Sequence, residues 1–140
     1  MKDLNQLVMD WGQYKSTSAR FYRLERPHTQ TFMYRRGQPG HPSNFAFVHF
    51  ECMPSQTLSF ITVATWPTQV TDDERQQVED AIGYGIVEGL LARAFYPYRG
   101  CSLTLTRVKY DAVESSAAAF YFATKGAMDE LIAKGSWQLA

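Results

Sequence analysis

The sequence predicts an α+β fold in which a four-stranded sheet and two helices form two layers. Strand-like stretches of period two are grouped in the first half of the chain. Two helical stretches with one further strand between them follow, which gives the order β-β-β-α-β-α. Because strands do not alternate regularly with helices, both helices are expected on one face of the sheet. A length of 140 residues favours a single domain.

The start of the chain predicts a helical extension over residues 1–20, ahead of a domain over residues 21–140. Asp3 is a candidate helix cap, and the apolar positions that follow at helical spacing are Leu4, Leu7, Val8 and Trp11. The polar stretch KSTSA ends this helix. The next residues, FYRLE at 21–25, are typical of a short strand or an extended arm.

An antiparallel meander is suggested by three strand-like runs, which are HTQTFMY (28–34), FAFVHFECM (45–53) and LSFITVAT (58–65). The segment RRGQPGHPSN between the first two holds two Gly and two Pro, so it is expected to be irregular. In the second run Phe45, Phe47 and His49 share one side. This aromatic row either lies exposed, where it could stack bases or form a dimer interface, or lies beneath the N-terminal helix.

The first helix of the domain has a clear start. The hydroxyl of Thr71 can accept from the amide of Glu74, and the Glu74 carboxylate can reach back, which makes a capping box. The positions that recur every three or four residues are Val78, Ile82, Gly85, Ile86, Gly89 and Leu90. The two glycines on this stripe predict close packing onto the sheet. The helix is expected to end before Pro97.

Residues 100–110 alternate again and predict a half-buried strand, with Cys101, Leu103 and Leu105 on its buried side. The next helix begins after Ser115 and Ser116, one of which is expected to cap it. Its apolar stripe is Ala119, Phe120, Ala123, Ala127, Leu131 and Ile132, and it is expected to end at Lys134 and Gly135.

The charge of the chain balances to zero, so no overall field favours nucleic acid. Residues 1–50 nevertheless hold seven Lys/Arg against three acids, whereas residues 51–140 hold seven against eleven. This pattern is consistent with a two-sided molecule or with ordinary solvated surface. No run reaches the about 18 apolar residues of a membrane span, so a cytoplasmic protein with no membrane contact is expected.

Several kinds of chemistry are not expected from these residues. Cys52 and Cys101 lie in apolar runs and are expected to be buried thiols rather than a disulfide framework. His41, His49 and Cys52 lack the spacing of a zinc site, so no metal and no cofactor are expected. No G-x-S-x-G elbow or G-x-x-x-x-G-K-[ST] loop is present, so neither a serine nucleophile nor nucleotide hydrolysis is predicted.

The stretch LTLTRVKYDAVESSAAAF, at 103–120, resembles a pattern carried by domain IV of elongation factor G and its relatives, V-T-L-x-D-G-x-Y-H-D-V-D-S-S-x-x-A-F. The matching or similar positions are Leu103, Thr104, Leu105, Tyr110, Val113, Glu114, Ser115, Ser116, Ala119 and Phe120. Two further stretches agree with the family: RRGQPGH before a strand that ends in VHFECMP, and Gly85-Ile86 followed by Tyr96-Pro97. The resemblance spans about residues 21–132.

The chain departs from the family pattern at the corner between the last strand and the last helix. Asp111 stands where the family carries a histidine, and Arg107-Val108 replaces an Asp-Gly pair. The earlier loop gains Pro39 and Pro42. The resemblance therefore implies a stand-alone domain IV with an altered tip. It also implies a left-handed crossover before the last strand, although about 98% of parallel crossovers are right-handed.

The resemblance implies a non-enzymatic domain that binds the ribosome or structured RNA where the two altered segments meet. The candidate RNA-binding residues are Arg35, Arg36, His41, Lys109, Tyr110, Asp111, Ser115 and Ser116. Basic side chains would contact phosphates, and amides near Ser116 could add an anion site, but Asp111 and Glu114 would repel phosphate. The alternative is a protein–protein or self-association module, such as a homodimer, that kept the fold and lost RNA binding.

Overall fold

The computed structural model describes residues 18–36, 44–92, 95–111 and 115–140. The predicted helix over residues 1–20 lies almost wholly outside these ranges. The elements of the described ranges are β1 (Tyr22–Leu24), β2 (His28–Arg36), β3 (Asn44–Pro54), β4 (Ser59–Thr62), α1 (Asp72–Leu91), β5 (Cys101–Lys109), α2 (Ala117–Lys134) and β6 (Trp137–Leu139). The predicted α+β class is confirmed, with a short second sheet in addition.

The main sheet has the strand order β2-β3-β5-β4, so the predicted meander is wrong. β3 is antiparallel to β2 and to β5, and β4 pairs with β5 in parallel, at the edge of the sheet as the described residues form it. Apolar alternation shows that a strand is half-buried but not which strand lies beside it. Here the segment after β3 is bonded to the start of β5, through Ser55 N–H to Gly100 O at 3.3 Å. β5 therefore occupies the place that a meander would give to β4.

The chain crosses from β4 to β5 through α1. Ser59 lies opposite Ser102 and Thr62 opposite Leu105, in a parallel register. This is the parallel pairing that the family resemblance requires. The hand of the crossover stays a prediction from the resemblance.

The two helices cover one face of the main sheet. The sheet side chains beneath them include Ala46, Val48, Phe50, Leu103 and Leu105, all of which are buried. α2 packs on β2 and β3, and α1 packs on α2. Within the described ranges no helix covers the opposite side, here called the open face, where Met33, Met53 and Ile61 are exposed.

The capping chemistry is present as predicted. The Thr71 hydroxyl accepts from the Glu74 amide at 3.1 Å and donates to the Glu74 carboxylate at 3.2 Å. Three acidic residues in the first turn of α1 lie at the positive end of the helix dipole. Of the two candidate serines, Ser116 caps α2, because its hydroxyl accepts from the Ala119 amide at 3.1 Å.

The glycines of α1 pack against the other helix rather than against the sheet, so that part of the prediction is wrong. A Cβ on Gly85 would lie 2.9 Å from Thr124 Cβ, and one on Gly89 would lie 2.7 Å from Met128 Cβ. Such distances are too short for real carbon contacts, so the glycines allow the helices to approach. The apolar stripe was therefore identified correctly, but its partner was not.

A second sheet closes the end of the domain where β5 begins, and its strand β6 was not predicted. Tyr22, Arg23 and Leu24 of β1 lie antiparallel to β6, and the Ala140 amide donates to Phe21 O at 2.8 Å. The stretch FYRLE therefore contains a strand. Tyr98 stacks on the Tyr22 ring at 4.5 Å and meets the Trp137 ring edge-on at 5.0 Å. These aromatic contacts bind β1 and β6 to the chain just before β5.

Both cysteines are free thiols buried in the core, as predicted. Burial raises the pKa of the Cys52 thiol to about 12. Burial also raises the pKa of the Cys101 thiol, and the neighbouring Cys52 adds to the shift. The reactive thiolate form is therefore scarce at neutral pH.

We expect Gly89→Ala to lower the free energy of unfolding by about 1 kcal/mol. Overpacking costs about 1–3 kcal/mol. Ala is favoured over Gly in a helix by about 1 kcal/mol, which offsets only part of that cost. Urea unfolding would report the change as a lower midpoint with an unchanged slope. Gln76→Ala, at an exposed position of the same helix, is the control and should change little. A Gly89→Ala variant more stable than the parent would contradict this packing.

We expect the thiols to react with a disulfide reagent at pH 8 only as fast as the chain unfolds. With a Cys52 pKa of about 12, the thiolate is a fraction of about one in ten thousand. Absorbance of the released chromophore would follow the reaction. Prompt labelling of both cysteines in guanidinium provides the reference, and equally prompt labelling of the folded chain would show that the thiols are accessible.

Candidate nucleic-acid interface

One end of the main sheet gathers the segments that the sequence analysis singled out. β2 ends there at Arg36, β3 begins, and β5 ends at Lys109. Arg35 lies opposite Phe45, and Lys109 lies opposite Phe47 on the other side of β3. This end of the sheet, together with the start of α2, is called the tip. The described ends of the segment between β2 and β3 and of the corner between β5 and α2 therefore lie together at one end of the sheet.

Ser115 joins the corner before α2 to the start of β3. Its hydroxyl donates to Phe45 O at 2.7 Å and accepts from the Asp111 amide at 2.8 Å. The Ser115 amide donates in turn to Asp111 O at 2.8 Å. These three bonds close the corner from both sides. Ser115 thus holds the corner in place, while Ser116 caps α2.

Tyr110 anchors the corner to the core. Its ring stacks on Phe120 at 6.0 Å and meets Trp66 edge-on at 6.4 Å. The hydroxyl donates to the Glu74 carboxylate at 3.2 Å. Burial, reinforced by the hydrogen bond to Glu74, raises the pKa of this phenol. The side chain is therefore half-buried and engaged in packing.

A β-bulge at His49 and Phe50 decides which way the end of β5 faces. Phe50 lies opposite Leu105 and His49 opposite Arg107, so Thr106 has no partner on β3. The Thr106 hydroxyl donates instead to His49 O at 3.2 Å. Strict alternation after Leu105 would turn Arg107 towards the helices. The additional residue reverses this, as expected of a bulge.

The exposed cations of the tip lie over aromatic rings of β3. The Arg35 guanidinium is 4.9 Å from the centre of the Phe45 ring. Lys109 Nζ is 5.0 Å, and the Arg107 guanidinium 5.9 Å, from the centre of the Phe47 ring. Cation–π contacts of this kind limit where the charges can lie. The aromatic row lies on the open face, with Phe45 buried and Phe47 and His49 half-buried. The N-terminal helix that was expected as its alternative cover lies outside the described residues. Arg107 is a cation that sequence reasoning did not assign to the site.

Positive and negative charges lie on different sides of the tip. Arg35, Arg107 and Lys109 belong to the open face. The first turn of α1 carries the acids Asp72, Asp73 and Glu74. The hydrogen bond between Tyr110 and Glu74 places this turn beside the tip, on the helical side of the sheet. Asp111 is exposed at the corner itself. His41 and Glu114 lie outside the described residues.

A shallow hollow of about 330 Å³ lies on the outer side of the helices, away from the tip. Its lining residues are Glu88, Gly89, Ala92, Lys125 and Asp129. The Tyr121 hydroxyl donates to the Glu88 carboxylate, and this hydrogen bond, together with burial, raises the pKa of the phenol to about 12. Lys125 Nζ is 3.8 Å from the same carboxylate. Glu88 and Lys125 are thus paired with each other at this hollow.

Neither a metal-binding group nor a membrane-spanning helix occurs in the described ranges. Within residues 18–36, 44–92, 95–111 and 115–140, no three His, Cys, Asp or Glu side chains form a group that could hold a metal ion. Among the helices of these ranges, none has both the length and the apolar character to cross a membrane.

The fold and the tip together define a two-layer α+β domain with its polar corners gathered at one end. Residues 24–136 match the family model described as elongation factor G, domain IV. The chain therefore belongs to the elongation factor G domain IV family, a family of translation-factor domains. The resemblance stated from the sequence over residues 21–132 is confirmed.

A structural relative supports the same fold. A Thermus thermophilus protein known from a crystal structure is similar with a TM-score of 0.66 and 21% sequence identity. The similarity covers 86% of this chain, which spans 18% of the length of that protein. No match was found among curated proteins.

We expect Ser115→Ala to lower the free energy of unfolding by about 1–2 kcal/mol, because Phe45 O and the Asp111 amide both lose a partner. Amide exchange at Asp111 should accelerate, since its hydrogen-bond acceptor is removed. Ser116→Ala is the matched control: it should cost about 1 kcal/mol through the lost helix cap and leave Asp111 exchange unchanged. Equal Asp111 exchange in both variants would show that Ser115 does not hold the corner.

Proposed function

We propose that this domain binds the ribosome or structured RNA through its tip and does so without catalysing a reaction. The observation that carries the proposal is the arrangement of Arg35 and Lys109. The two exposed cations come from different segments of the chain, lie at one end of the sheet, and are each held over an aromatic ring. Membership of a translation-factor domain family supports the same function. A ribosome-binding domain is expected to act in the cytoplasm.

The chemistry suits a phosphate backbone. Arg35 and Arg36 end β2 with exposed guanidinium groups, which can bind phosphate oxygens through two parallel hydrogen bonds. Lys109 adds a third cation, and His41 is a further candidate from the segment between β2 and β3. Asp111 disfavours phosphate at the corner and thereby limits how RNA can approach. Such contacts position a ligand without reading its sequence.

Three of the candidate residues serve a positioning role in this proposal. Tyr110 packs against Phe120 and Trp66, Ser115 bonds to β3, and Ser116 caps α2. Their hydroxyls are already used as donors or acceptors, which supports recognition rather than nucleophilic chemistry. The raised pKa of the buried Cys52 thiol supports a non-enzymatic domain in the same way.

Self-association is the second candidate function, and a specific observation favours it. Four large apolar side chains are strongly exposed on and beside β2, β3 and β4: Met33 at 59%, Met53 at 49%, Ile61 at 60% and Val63 at 63%. Ile61 lies opposite Thr104 and therefore faces the open side of the sheet. Exposed apolar side chains spread over one face of a sheet are consistent with a protein contact. A homodimer formed through the open face would cover them.

Co-sedimentation with ribosomes over a range of salt concentrations tests the tip proposal. Binding should weaken steeply with salt. In Arg35→Ala/Arg36→Ala the slope of the logarithm of the binding constant against the logarithm of the salt concentration should become shallower, by about 0.7–0.9 for each phosphate that is no longer neutralised. Arg26→Ala/Lys134→Ala is the matched control, because it removes the same charge from exposed residues at the opposite end of the domain. The control should bind like the parent chain.

The same experiment separates the two candidates. If the chain does not sediment with ribosomes at low salt and runs as a stable dimer in solution, the tip proposal fails and self-association is supported. Equal loss of binding in the tip variant and in its matched control would also defeat the proposal, since it would show that net charge alone matters.

A further inference from the structure

We propose that the tip-side half of the open face extends the tip into a binding surface for single-stranded RNA. Bases would stack on the Phe47 side of the sheet, and Arg107 and Lys109 would hold the adjoining phosphates. This inference rests on the proposed function in sharing Arg35 and Lys109 with the tip, and it goes beyond that function because it adds the Phe47 ring and Arg107, specifies single-stranded RNA and does not require the ribosome. The surface is called the basic strip, and its members are Arg35, Phe45, Phe47, His49, Arg107 and Lys109.

The register of the main sheet brings the basic strip together. Phe47 lies opposite Met33 of β2 on one side and Lys109 of β5 on the other. Arg107 lies two positions before Lys109 in β5, opposite His49. Both cations lie within 6 Å of the Phe47 ring, at 5.0 Å for Lys109 and 5.9 Å for Arg107. Two cations held over one aromatic ring bring phosphate contacts and a stacking side chain together, and proteins that bind single strands combine these two kinds of contact.

Phe45 has a different part in the basic strip. Its ring is only 9% exposed, and the Arg35 guanidinium lies over it at 4.9 Å. A guanidinium plane held over an aromatic ring can itself stack on a base. The strip therefore presents one half-buried ring at Phe47 and one guanidinium plane at Arg35. Successive bases of a single strand need platforms of this kind.

The positive charge of the basic strip favours an anionic partner. Arg35, Arg107 and Lys109 are exposed on it. On the open face Glu51 lies beyond His49, opposite Thr104, and so belongs to the other half of the sheet. The acids of the first turn of α1 lie on the helical side. A polyanion laid along the strip thus passes three cations before it meets a carboxylate, apart from Asp111 at the corner.

The observations favour single-stranded RNA over the other occupants of such a face. In a duplex the base faces are already stacked and cannot reach Phe47. A second copy placed symmetrically over the strip would set its cations against an identical set, which is unfavourable. The apolar side chains Met53, Ile61 and Val63 lie outside the strip and remain compatible with the self-association candidate.

Fluorescence anisotropy with labelled RNA tests the inference on the full chain. The probe is a single strand of about ten uridines, compared with a duplex of the same length. We expect the single strand to bind and the duplex to bind at least several-fold more weakly. Phe47→Leu should weaken single-strand binding by about 5- to 100-fold with little change in the salt slope, because the stacking ring is lost while both cations remain. Arg107→Gln should lower the salt slope by about 0.7.

Matched controls make the result specific. Phe122→Leu removes a more exposed ring, 50% exposed on α2, and Arg26→Gln removes a charge at the opposite end of the domain. Both should bind like the parent chain. Circular dichroism would verify folding, and Lys109→Gln, with the same expected change in salt slope as Arg107→Gln, replaces any variant that does not fold.

The outcomes are distinct from those of the ribosome experiment. The inference is overturned if the full chain does not bind the single strand. It is also overturned if Phe47→Leu and Phe122→Leu bind alike, or if the duplex binds as tightly as the single strand. Loss of ribosome binding in Arg35→Ala/Arg36→Ala with no loss in Phe47→Leu would leave the tip proposal intact and confine this inference to isolated strands.

Discussion

Thr106 is the residue of β5 that has no partner on β3, and its hydroxyl donates to His49 O at 3.2 Å. From Arg107 onward, the pairing of β5 with β3 is shifted by one position. Val108 packs against the core, whereas Arg107 and Lys109 lie over the Phe47 ring on the open face. Without the shift these two cations would face the helices, where burying an unpaired charge costs several kcal/mol. The positive surface of the domain depends on this bulge.

The corner that carries Asp111 is held by contacts of two kinds. Hydrogen bonds through Ser115 join it to β3, and the Tyr110 ring packs against Phe120. The contacts are made by the same residues that matched the family pattern. Pattern matching alone suggested a ligand role for them, whereas their packing indicates that they hold the corner in place. The residues available to a ligand are the cations beside them.

The local features could be predicted from the sequence, because they depend on residues that are close together in the chain. The Thr71 cap, the buried side of β5 and the buried thiols at Cys52 and Cys101 all follow from side-chain type and spacing. The position of β5 between β3 and β4 did not follow, since alternation records burial and not the neighbour of a strand. β6 was missed because a three-residue strand carries little periodicity, and Gly89 was assigned the wrong partner because a small residue indicates closeness without direction.

The candidate site was predictable only in part, for a related reason. Arg35 and Lys109 were named from the family resemblance, and the register places them at one end. Arg107 was not named, because strict alternation was assumed to continue after Leu105. The two successive polar residues Thr106 and Arg107 between apolar Leu105 and Val108 break the alternation, and this break could have suggested the bulge.

The short sheet of β1 and β6 has a mechanical consequence. It pairs the chain at Tyr22–Leu24 with the chain at Trp137–Leu139, and the Ala140 amide bonds to Phe21 O beside it. A pull applied at residues 21 and 140 is therefore borne first by these few bonds, at the far end of β5 from Lys109. While the short sheet holds, the four-stranded sheet and the tip are shielded from strain applied at those positions.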